Sequence, residues 1–163
     1  MFSIRSTITF ADIPELKQLF KDTILSVNRN DYSLEEAEDW ASCGDNNQHW
    51  LELINTLHFI IAENEDGHAV GFASISDEGY LHSLFVHKNY QRQGVATLLY
   101  DTIEELAKHK QIAKITSEVS ITAKPFFEKQ GFTVDEEQRR KANKLQLTNY
   151  KMSKVVPHIH HGC

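Results

Sequence analysis

One short segment of the sequence has the residue types and spacing to bind an anion. It reads Gln91-Arg92-Gln93-Gly94-Val95-Ala96, between an apolar run of strand type and a run with helical periodicity. A turn that leads into a helix exposes unpaired backbone N–H groups beside the positive end of the helix dipole, which suits a phosphate. Gly94 and Ala96 are small enough for a bulky anion to approach the backbone. The alternative is an ordinary strand-to-helix connection in which Gly94 only relieves turn strain.

This segment differs from two widespread phosphate motifs. No Gly-Lys-Ser/Thr follows it, which excludes a Walker loop, and the dinucleotide fingerprint needs three glycines. The side chains of Gln91, Arg92 and Gln93 could add donors to a bound anion. If the segment binds an anion, the site is therefore of another kind.

Two segments together resemble the GNAT superfamily of N-acetyltransferases. The first is Gln91-x-x-Gly94-x-Ala96 after Leu84-Phe85-Val86, which resembles the superfamily's acetyl-CoA pyrophosphate loop. The second runs from Ser120 to Phe132 and resembles the superfamily's Asn-x-x-Ala-x-x-Phe-Tyr-x-x-x-Gly-Phe segment. The motifs occur in the family's order, separated by one predicted helix and one predicted strand. With its flanking strands, the resemblance covers roughly residues 57–154.

The resemblance implies that the chain binds acetyl-CoA. Residues 91–96 would hold the pyrophosphate, and the backbone of Leu84, Phe85 and Val86 would pair with the pantetheine arm like an added strand. A backbone N–H near Val86 would polarise the thioester carbonyl. Ser120 and Phe127 would also contact the cofactor. No metal is expected.

Acetyl transfer to an amine needs a base, because an ammonium group cannot attack a thioester. The predicted strand before the loop offers His82, and imidazole titrates closest to neutral pH. Alternation along a strand would place His82 on the same face as Leu84 and Val86. His82 is thus our first candidate for the base, and a surface or capping histidine is the alternative.

Phe127 occupies the position at which the family usually has the tyrosine that protonates the leaving thiolate. Three explanations remain open at this stage. Another donor could serve, such as water, Tyr100 or Tyr150. The thiolate could leave unassisted, since a thiol pKa of about 8.5 makes general-acid help modest. The protein could also bind acetyl-CoA without efficient turnover.

The resemblance implies an acetyl-CoA-dependent N-acetyltransferase, with a primary amine of a small molecule or a protein as acceptor and direct attack as mechanism. A non-catalytic acyl-CoA-binding or regulatory module of the same fold is the first alternative. A domain that uses the Gly94 turn only structurally is the second. In this family the region between the first two strands builds much of the acceptor site. The candidates there are Tyr32, Trp40, His49 and Trp50, and simple packing is the alternative for each aromatic residue.

Composition restricts the class of protein. The 163 residues, 40% of them hydrophobic and 25% charged, suit one domain, which we place at residues 1–156, before a His-rich tail at 157–163 that we expect to be flexible. The tail could bind a transition metal only adventitiously. A formal charge of −6 without a long basic block disfavours nucleic acid as a partner. GNAT proteins are often dimers, so the resemblance leaves a homodimer open.

The sequence also favours a cytoplasmic location. No apolar run is long enough for a membrane span, and the N-terminus lacks the apolar region of a signal peptide. Cys43 and Cys163 do not make a disulfide framework, so we expect reduced thiols.

The elements that must position these residues form an α/β (α+β) pattern. We predict a GNAT-like, mostly antiparallel central sheet flanked by helices, with one parallel crossover and, by resemblance, a splayed strand pair. Asp12 and Ser33 should cap the first two helices. The predicted strands cover residues 3–9, 57–63, 69–76, 80–86, 113–119, 132–137 and 144–154, and the predicted helices cover residues 12–27, 33–40, 49–55, 94–107 and 122–130.

Overall fold

The computed structural model describes residues 1–157, which form one seven-stranded sheet with helices on both faces. The strands are β1 (Ser3–Arg5), β2 (His58–Glu63), β3 (Ala69–Ile75), β4 (Tyr80–Val86), β5 (Lys114–Ser120), β6 (Thr133–Lys141) and β7 (Gln146–Val155). The helices are α1 (Ile13–Ser26), α2 (Leu34–Ser42), α3 (Asn47–Thr56), α4 (Val95–His109) and α5 (Lys124–Lys129). From residue 158 on, the predicted His-rich tail lies outside the described residues, and so does Cys163.

The strand order confirms the predicted fold class. The strands follow the order β1-β2-β3-β4-β5-β7-β6, and only β4 and β5 are parallel neighbours. The apolar stripe of α4 covers one face, with Leu99 and Ile103 fully buried. On the other face, Leu16 of α1 and Trp50 of α3 pack in one cluster with Phe72 of the sheet. The sheet is therefore the middle layer between two groups of helices.

The parallel strands β4 and β5 pair only where they begin. Tyr80 is aligned with Thr116 and Leu81 with Ser117, and no further pair of the two strands is present in residues 1–157. The Ser117 hydroxyl donates to the Leu81 carbonyl at 2.8 Å and so adds a side-chain link between the two strands at this point. Beyond it the strands separate, as predicted, and their exposed edges are the walls of a cleft.

A β-bulge in β4 changes the predicted direction of His82. Ser74 of β3 is aligned with Ser83 and Ile75 with Leu81, which leaves His82 as an extra residue without a partner on β3. The side chains of Leu84 and Val86 pack in the cluster under α4, whereas His82 approaches His49 of α3. The expectation that His82 shares a face with Leu84 and Val86 is therefore wrong, because the bulge interrupts the alternation.

Several element boundaries differ from the predicted ones because side chains satisfy the backbone elsewhere. β1 ends at Arg5 rather than at residue 9, since Thr9 caps a short 3-10 turn and Arg5 pairs with Asp12 at 2.8 Å. The Asp12 side chain consequently does not cap α1. The Ser33 capping box is confirmed, with Glu36 as its reciprocal partner.

The third helix and the last hairpin are longer than predicted. Asn46 accepts from the N–H groups of Gln48 and His49, so α3 begins at Asn47. β6 continues to Lys141 because its backbone pairs with β7 as far as Lys141 and Gln146, which shortens the link between the two strands.

Asp39 of α2 ties that helix to the β6–β7 hairpin. Its carboxylate accepts hydrogen bonds from the backbone N–H groups of Asn143, Lys144 and Leu145 at 2.9 to 3.1 Å. Desolvation acts to raise the pKa of Asp39, but these three donors outweigh it and lower the pKa. The contact joins segments that lie about a hundred residues apart in the chain.

We expect Asp39→Asn to lower the melting temperature at pH 7, because an amide offers the three N–H donors only one acceptor oxygen. A carboxyl group whose pKa is lower in the folded than in the unfolded state stabilises the fold at pH values above its unfolded pKa. This stabilisation is lost as the pH falls through the folded pKa, so the difference in melting temperature should shrink below about pH 4. Thermal melts at pH 7 and pH 3 measure it, with Glu35→Gln on the exposed side of α2 as control. Equal melting temperatures for Asp39→Asn and the unchanged protein at pH 7 would contradict the prediction.

Candidate functional site

A cleft of about 720 Å³ opens where β4 and β5 separate. Residues from two separate groups of elements line this cleft. At one end lie the loop before α4 and the start of α5, and at the other lie α1, α2, α3 and the β6–β7 hairpin. The cleft therefore crosses the sheet and has two chemically different halves.

The loop before α4 presents free backbone donors to one half of the cleft. Arg92 and Gly94 both have left-handed backbone geometry, with φ of 59° and 85°. Such turns gather successive N–H groups around one concavity. The first hydrogen bond of α4 runs from Leu98 N to Gly94 O at 3.0 Å, so the N–H groups of residues 95–97 precede any partner within the helix. This geometry fits a phosphate or another anion.

Open space in front of Gly94 makes those donors accessible. A Cβ added at Gly94 would meet no atom of residues 1–157 within 4 Å. Val95 is buried beneath the loop, whereas Arg92 and Gly94 are exposed. A large anion can therefore approach the helix N-terminus without displacing protein.

The two glutamines of the loop use their amides inside the protein. Gln91 Nε2 donates to the Val86 carbonyl at 2.7 Å, and Gln93 Nε2 donates to the Asn89 carbonyl at 3.3 Å. These bonds hold the loop against the end of β4 rather than adding side-chain donors for an anion. Arg92 is the exposed cation of the segment.

The edge of β4 beyond Leu81 has no strand partner on the β5 side within the described part of the chain. Leu84, Phe85 and Val86 all line the cleft there. Thr23 Oγ1 also donates to the Val86 carbonyl, at 3.2 Å, and anchors α1 at the end of β4. An extended ligand could add to this edge as a strand does.

One buried hydroxyl on the cleft wall lacks a hydrogen-bond partner in residues 1–157, the Oγ1 of Thr122. Its neighbour Ser120 is satisfied, because Ser120 Oγ accepts from Ala123 N at 3.0 Å and from Asn28 Nδ2 at 3.5 Å. An unpaired buried hydroxyl costs free energy unless a ligand or water completes it. Thr122 thus adds a polar contact that the sequence did not reveal.

Phe127 is buried beside the cleft and packs edge-on against Phe132 at 5.0 Å between ring centroids. Of the two tyrosines considered as proton donors, Tyr100 is a buried residue of α4 and donates to Glu104 at 3.0 Å. Tyr150 lies beneath Lys124, whose Nζ is 4.7 Å from the ring centroid. As far as residues 1–157 define the cleft, neither Tyr100 nor Tyr150 belongs to its lining.

His82 lies on the cleft wall near two other ionisable residues, His49 of α3 and Glu118 of β5. Solvent reaches its ring along the open cleft, yet the surrounding protein partly desolvates it and lowers its pKa. His49 lowers the pKa further, and Glu118 of β5 acts in the opposite direction. The net shift favours the neutral imidazole, which is the form that accepts a proton.

Glu118 faces this half of the cleft and was not among the residues predicted from the sequence. It pairs with Arg140 Nε at 3.3 Å and accepts from Gln138 Nε2 at 3.2 Å. Its position as a charged residue between the buried Ser117 and Val119 of β5 was the available signal. Its side chain lines the cleft where β4 and β5 separate, beside the β6 residues that it contacts.

The aromatic residues predicted for the acceptor site divide into two groups. Tyr32 is buried, its hydroxyl donates to the Thr148 carbonyl at 2.7 Å and accepts from Ile121 N at 3.0 Å, and burial raises the pKa of Tyr32 to about 12. Trp50 is also buried and donates to the Gly44 carbonyl at 2.8 Å. Tyr32 and Trp50 therefore contribute ring surface to the cleft, while their polar atoms are engaged in hydrogen bonds within the protein. Trp40 is half-buried and His49 exposed, and both line the cleft.

The described residues contain no group of three or more His, Cys, Asp or Glu side chains that could hold a metal ion. Cys43 is a free, half-buried thiol on the cleft wall. No helix within residues 1–157 has the length and apolar character to cross a membrane.

Comparison with known proteins gives one consistent family. The model of the acetyltransferase (GNAT) domain matches residues 28–154. The chain is 30% identical over 149 residues to YafP, an uncharacterised N-acetyltransferase of Escherichia coli (strain K12), covering 86% of this chain and 88% of the relative.

Solved structures agree with that match. A GCN5-related N-acetyltransferase from Rhodopseudomonas palustris superposes with a TM-score of 0.89 at 29% identity, covering 94% of each chain. The PaiA N-acetyltransferase of Thermoplasma acidophilum, solved in complex with coenzyme A, superposes with a TM-score of 0.77 at 19% identity, covering 95% of this chain and 99% of that one. At that identity the second likeness concerns the fold alone.

Proposed function

The chain belongs to the GNAT acetyltransferase family, and from this premise we propose that it transfers an acetyl group from acetyl-CoA to a primary amine of a small molecule or protein by direct attack. The observation that carries the proposal is the open loop before α4, whose unpaired N–H groups face the same cleft as His82. The coenzyme A complex of the Thermoplasma protein, which has the same fold, supports the choice of donor.

In this proposal the backbone of residues 94–97 and the side chain of Arg92 hold the pyrophosphate. The free edge of β4 at Leu84, Phe85 and Val86 holds the pantetheine arm, and Ser120, Thr122 and Phe127 border it. A diphosphate on the helix N-terminus gains both hydrogen bonds and the favourable end of the helix dipole. The donor thioester would then lie where β4 and β5 separate.

The proposed reaction has one bond-forming and one bond-breaking event. The neutral amine nitrogen forms a bond to the carbonyl carbon of the thioester, and the carbon–sulfur bond breaks with its electron pair remaining on sulfur. His82, directly or through water, accepts the proton that the amine loses. Backbone N–H groups near Val86 polarise the carbonyl.

Water is the proton source that we propose for the leaving thiolate. Phe127 has no hydroxyl, and Tyr32 has its hydroxyl engaged by Thr148 and Ile121. The thiolate of coenzyme A is a good leaving group, because a thiol pKa of about 8.5 makes the thiolate stable close to neutral pH. Catalysis without a tyrosine acid is therefore chemically reasonable.

A non-catalytic acyl-CoA-binding or regulatory module is the second candidate, and the buried Phe127 is the observation that favours it. For either candidate we propose that residues 1–156 act as one unit in the cytoplasm, without a metal or a nucleic acid. A homodimer remains a prediction that sedimentation would test.

Release of free thiol separates the two candidates. Incubation with acetyl-CoA and a panel of primary amines should release thiol in proportion to acetylated amine. Coenzyme A should also raise the melting temperature at saturating concentration. A thermal shift without thiol release for any amine would favour the binding module. The absence of both the thermal shift and thiol release would reject both candidates.

We expect Thr122→Val to weaken coenzyme A binding about fivefold without lowering stability. Valine keeps the shape but removes the hydroxyl that has no partner within residues 1–157, so the melting temperature should stay level or rise. Calorimetric titration measures the affinity, and Thr133→Val on the exposed edge strand is the matched control. Unchanged affinity together with a lower melting temperature would assign the Thr122 hydroxyl a purely structural role.

A further inference from the structure

The acceptor half of the cleft has an aromatic wall formed by Phe20, Trp40 and Phe85. The Phe20 and Phe85 ring centroids are 5.1 Å apart and those of Trp40 and Phe85 are 6.1 Å apart. All three side chains are half-buried and line the cleft, so part of each ring faces its open space. Three elements, α1, α2 and β4, contribute one ring each.

This wall has apolar surface that nothing in residues 1–157 covers completely. Trp50, Phe59 and Phe72 support it from behind as buried residues. Half-exposed rings on a rigid buried base form a preorganised apolar pocket. Such a pocket gains free energy by burying an apolar group of a ligand.

The charges around the wall restrict how many cations a ligand can carry. Glu118 is the single carboxylate among the described residues that line the cleft, and Arg140 already pairs with it at 3.3 Å. The basic groups of this half are His49, His82, Arg140 and Lys141. One ammonium group can still use Oε1 of Glu118, because Arg140 and Gln138 both contact Oε2. A second ammonium group would find no further carboxylate among these lining residues and would meet the positive charges of Arg140 and Lys141.

The position of Glu118 also indicates where a single amine would lie. Its charge acts on His82, and the two side chains stand on the strands that separate to form the cleft. One ammonium could therefore approach Glu118 and lose its proton close to His82. The apolar body of the same molecule would extend toward the aromatic wall.

From these contacts we propose that the acceptor is a monoamine carried on an aromatic or similarly apolar body, rather than a polyamine or a lysine-rich peptide. The proposal rests on the proposed function, because it names the acceptor of that reaction. It assigns Phe20, Trp40 and Phe85 to specificity and Glu118 to attraction of the amine.

Calorimetric titration with three amines tests the proposal independently of turnover. We use 2-phenylethylamine, ethylamine and spermidine, each with and without saturating coenzyme A. The phenyl ring should strengthen binding about 30-fold over ethylamine. Spermidine should bind no more tightly than ethylamine, because its additional charges find no carboxylate. Equal dissociation constants for the first two amines, or tightest binding by spermidine, would overturn the proposal.

Variants of Trp40 connect that preference to the aromatic wall. Trp40→Ala should weaken 2-phenylethylamine binding about tenfold and leave ethylamine unchanged. Trp40→Phe keeps an aromatic ring and should retain most of the preference for 2-phenylethylamine. This second variant shows whether the loss in Trp40→Ala comes from the missing ring or from a folding defect. Loss of affinity for both amines alike would contradict a specificity role.

The result also separates this proposal from the proposed function. If coenzyme A binds and spermidine or a lysine peptide is acetylated in preference to 2-phenylethylamine, the transferase stands and the acceptor class is wrong. If 2-phenylethylamine binds with the predicted preference but releases no thiol, the pocket stands and the transferase is wrong.

Discussion

A Gly94→Glu variant is expected to lose affinity for coenzyme A by about 100-fold or more. Two charges of like sign about 4 Å apart repel by about 4 kcal/mol at an effective dielectric constant near a protein surface. The added carboxylate would stand in the open space before the N–H groups of residues 95–97, where the diphosphate should lie. Calorimetric titration with coenzyme A measures the loss.

The chain contains a matched control for the backbone strain that any side chain would suffer at this position. Gly67 has φ of 80°, close to the 85° of Gly94, and a Cβ added there would also meet none of the described atoms within 4 Å. Gly67→Glu therefore carries the same strain and charge in the turn between β2 and β3, outside the residues that line the cleft, and its coenzyme A affinity should be unchanged.

Gly94→Ala separates strain at the loop from charge and should lose much less affinity than Gly94→Glu. A folded Gly94→Glu variant with unchanged affinity would reject the assignment of the loop.

The second large effect is expected at His82, where replacement by glutamine should lower kcat by about 100-fold at neutral pH. A positioned general base typically contributes at least that factor. Partial desolvation, and then the nearby His49, lowers the pKa of His82, so its neutral form predominates at neutral pH. Protonation should remove activity only below about pH 6.5, the ordinary histidine value.

The pH profile distinguishes a base from a residue that only shapes the cleft. In the unchanged protein the acidic limb of kcat/KM should lie below pH 6.5, and His82→Gln should abolish that limb while leaving the KM for acetyl-CoA nearly constant. His109→Gln, on the exposed end of α4, is the matched control. An unaltered profile in His82→Gln would remove His82 from the mechanism.

The candidate site shows how far sequence patterns extend. The turn at residues 91–96 was predictable because glycine spacing and the start of a helical period are local properties. The Ser33 capping box was predictable for the same reason, and its two hydrogen bonds are present. Asp12 misled the prediction because its carboxylate pairs with Arg5 and accepts from the Thr9 N–H, which leaves it unavailable to cap α1.

Side-chain direction at His82 could not be predicted from alternation. The bulge between β3 and β4 depends on how two strands align, and one extra residue reverses the faces on either side of it. Glu118 was missed because its exposure depends on the separation of β4 and β5, which leaves little trace in side-chain pattern.

The sequence by itself determined the family, the mixed sheet with one parallel crossover, and the glycine-containing turn before α4 that we propose as the diphosphate site, because these follow from residue types at short spacing. Only the tertiary structure decided what the cleft contains. It placed His82 near His49 and Glu118, paired Glu118 with Arg140 and engaged the Tyr32 hydroxyl. It also left the Thr122 hydroxyl without a partner among the described residues. Those contacts join residues far apart in the chain, and only packing brings such residues together.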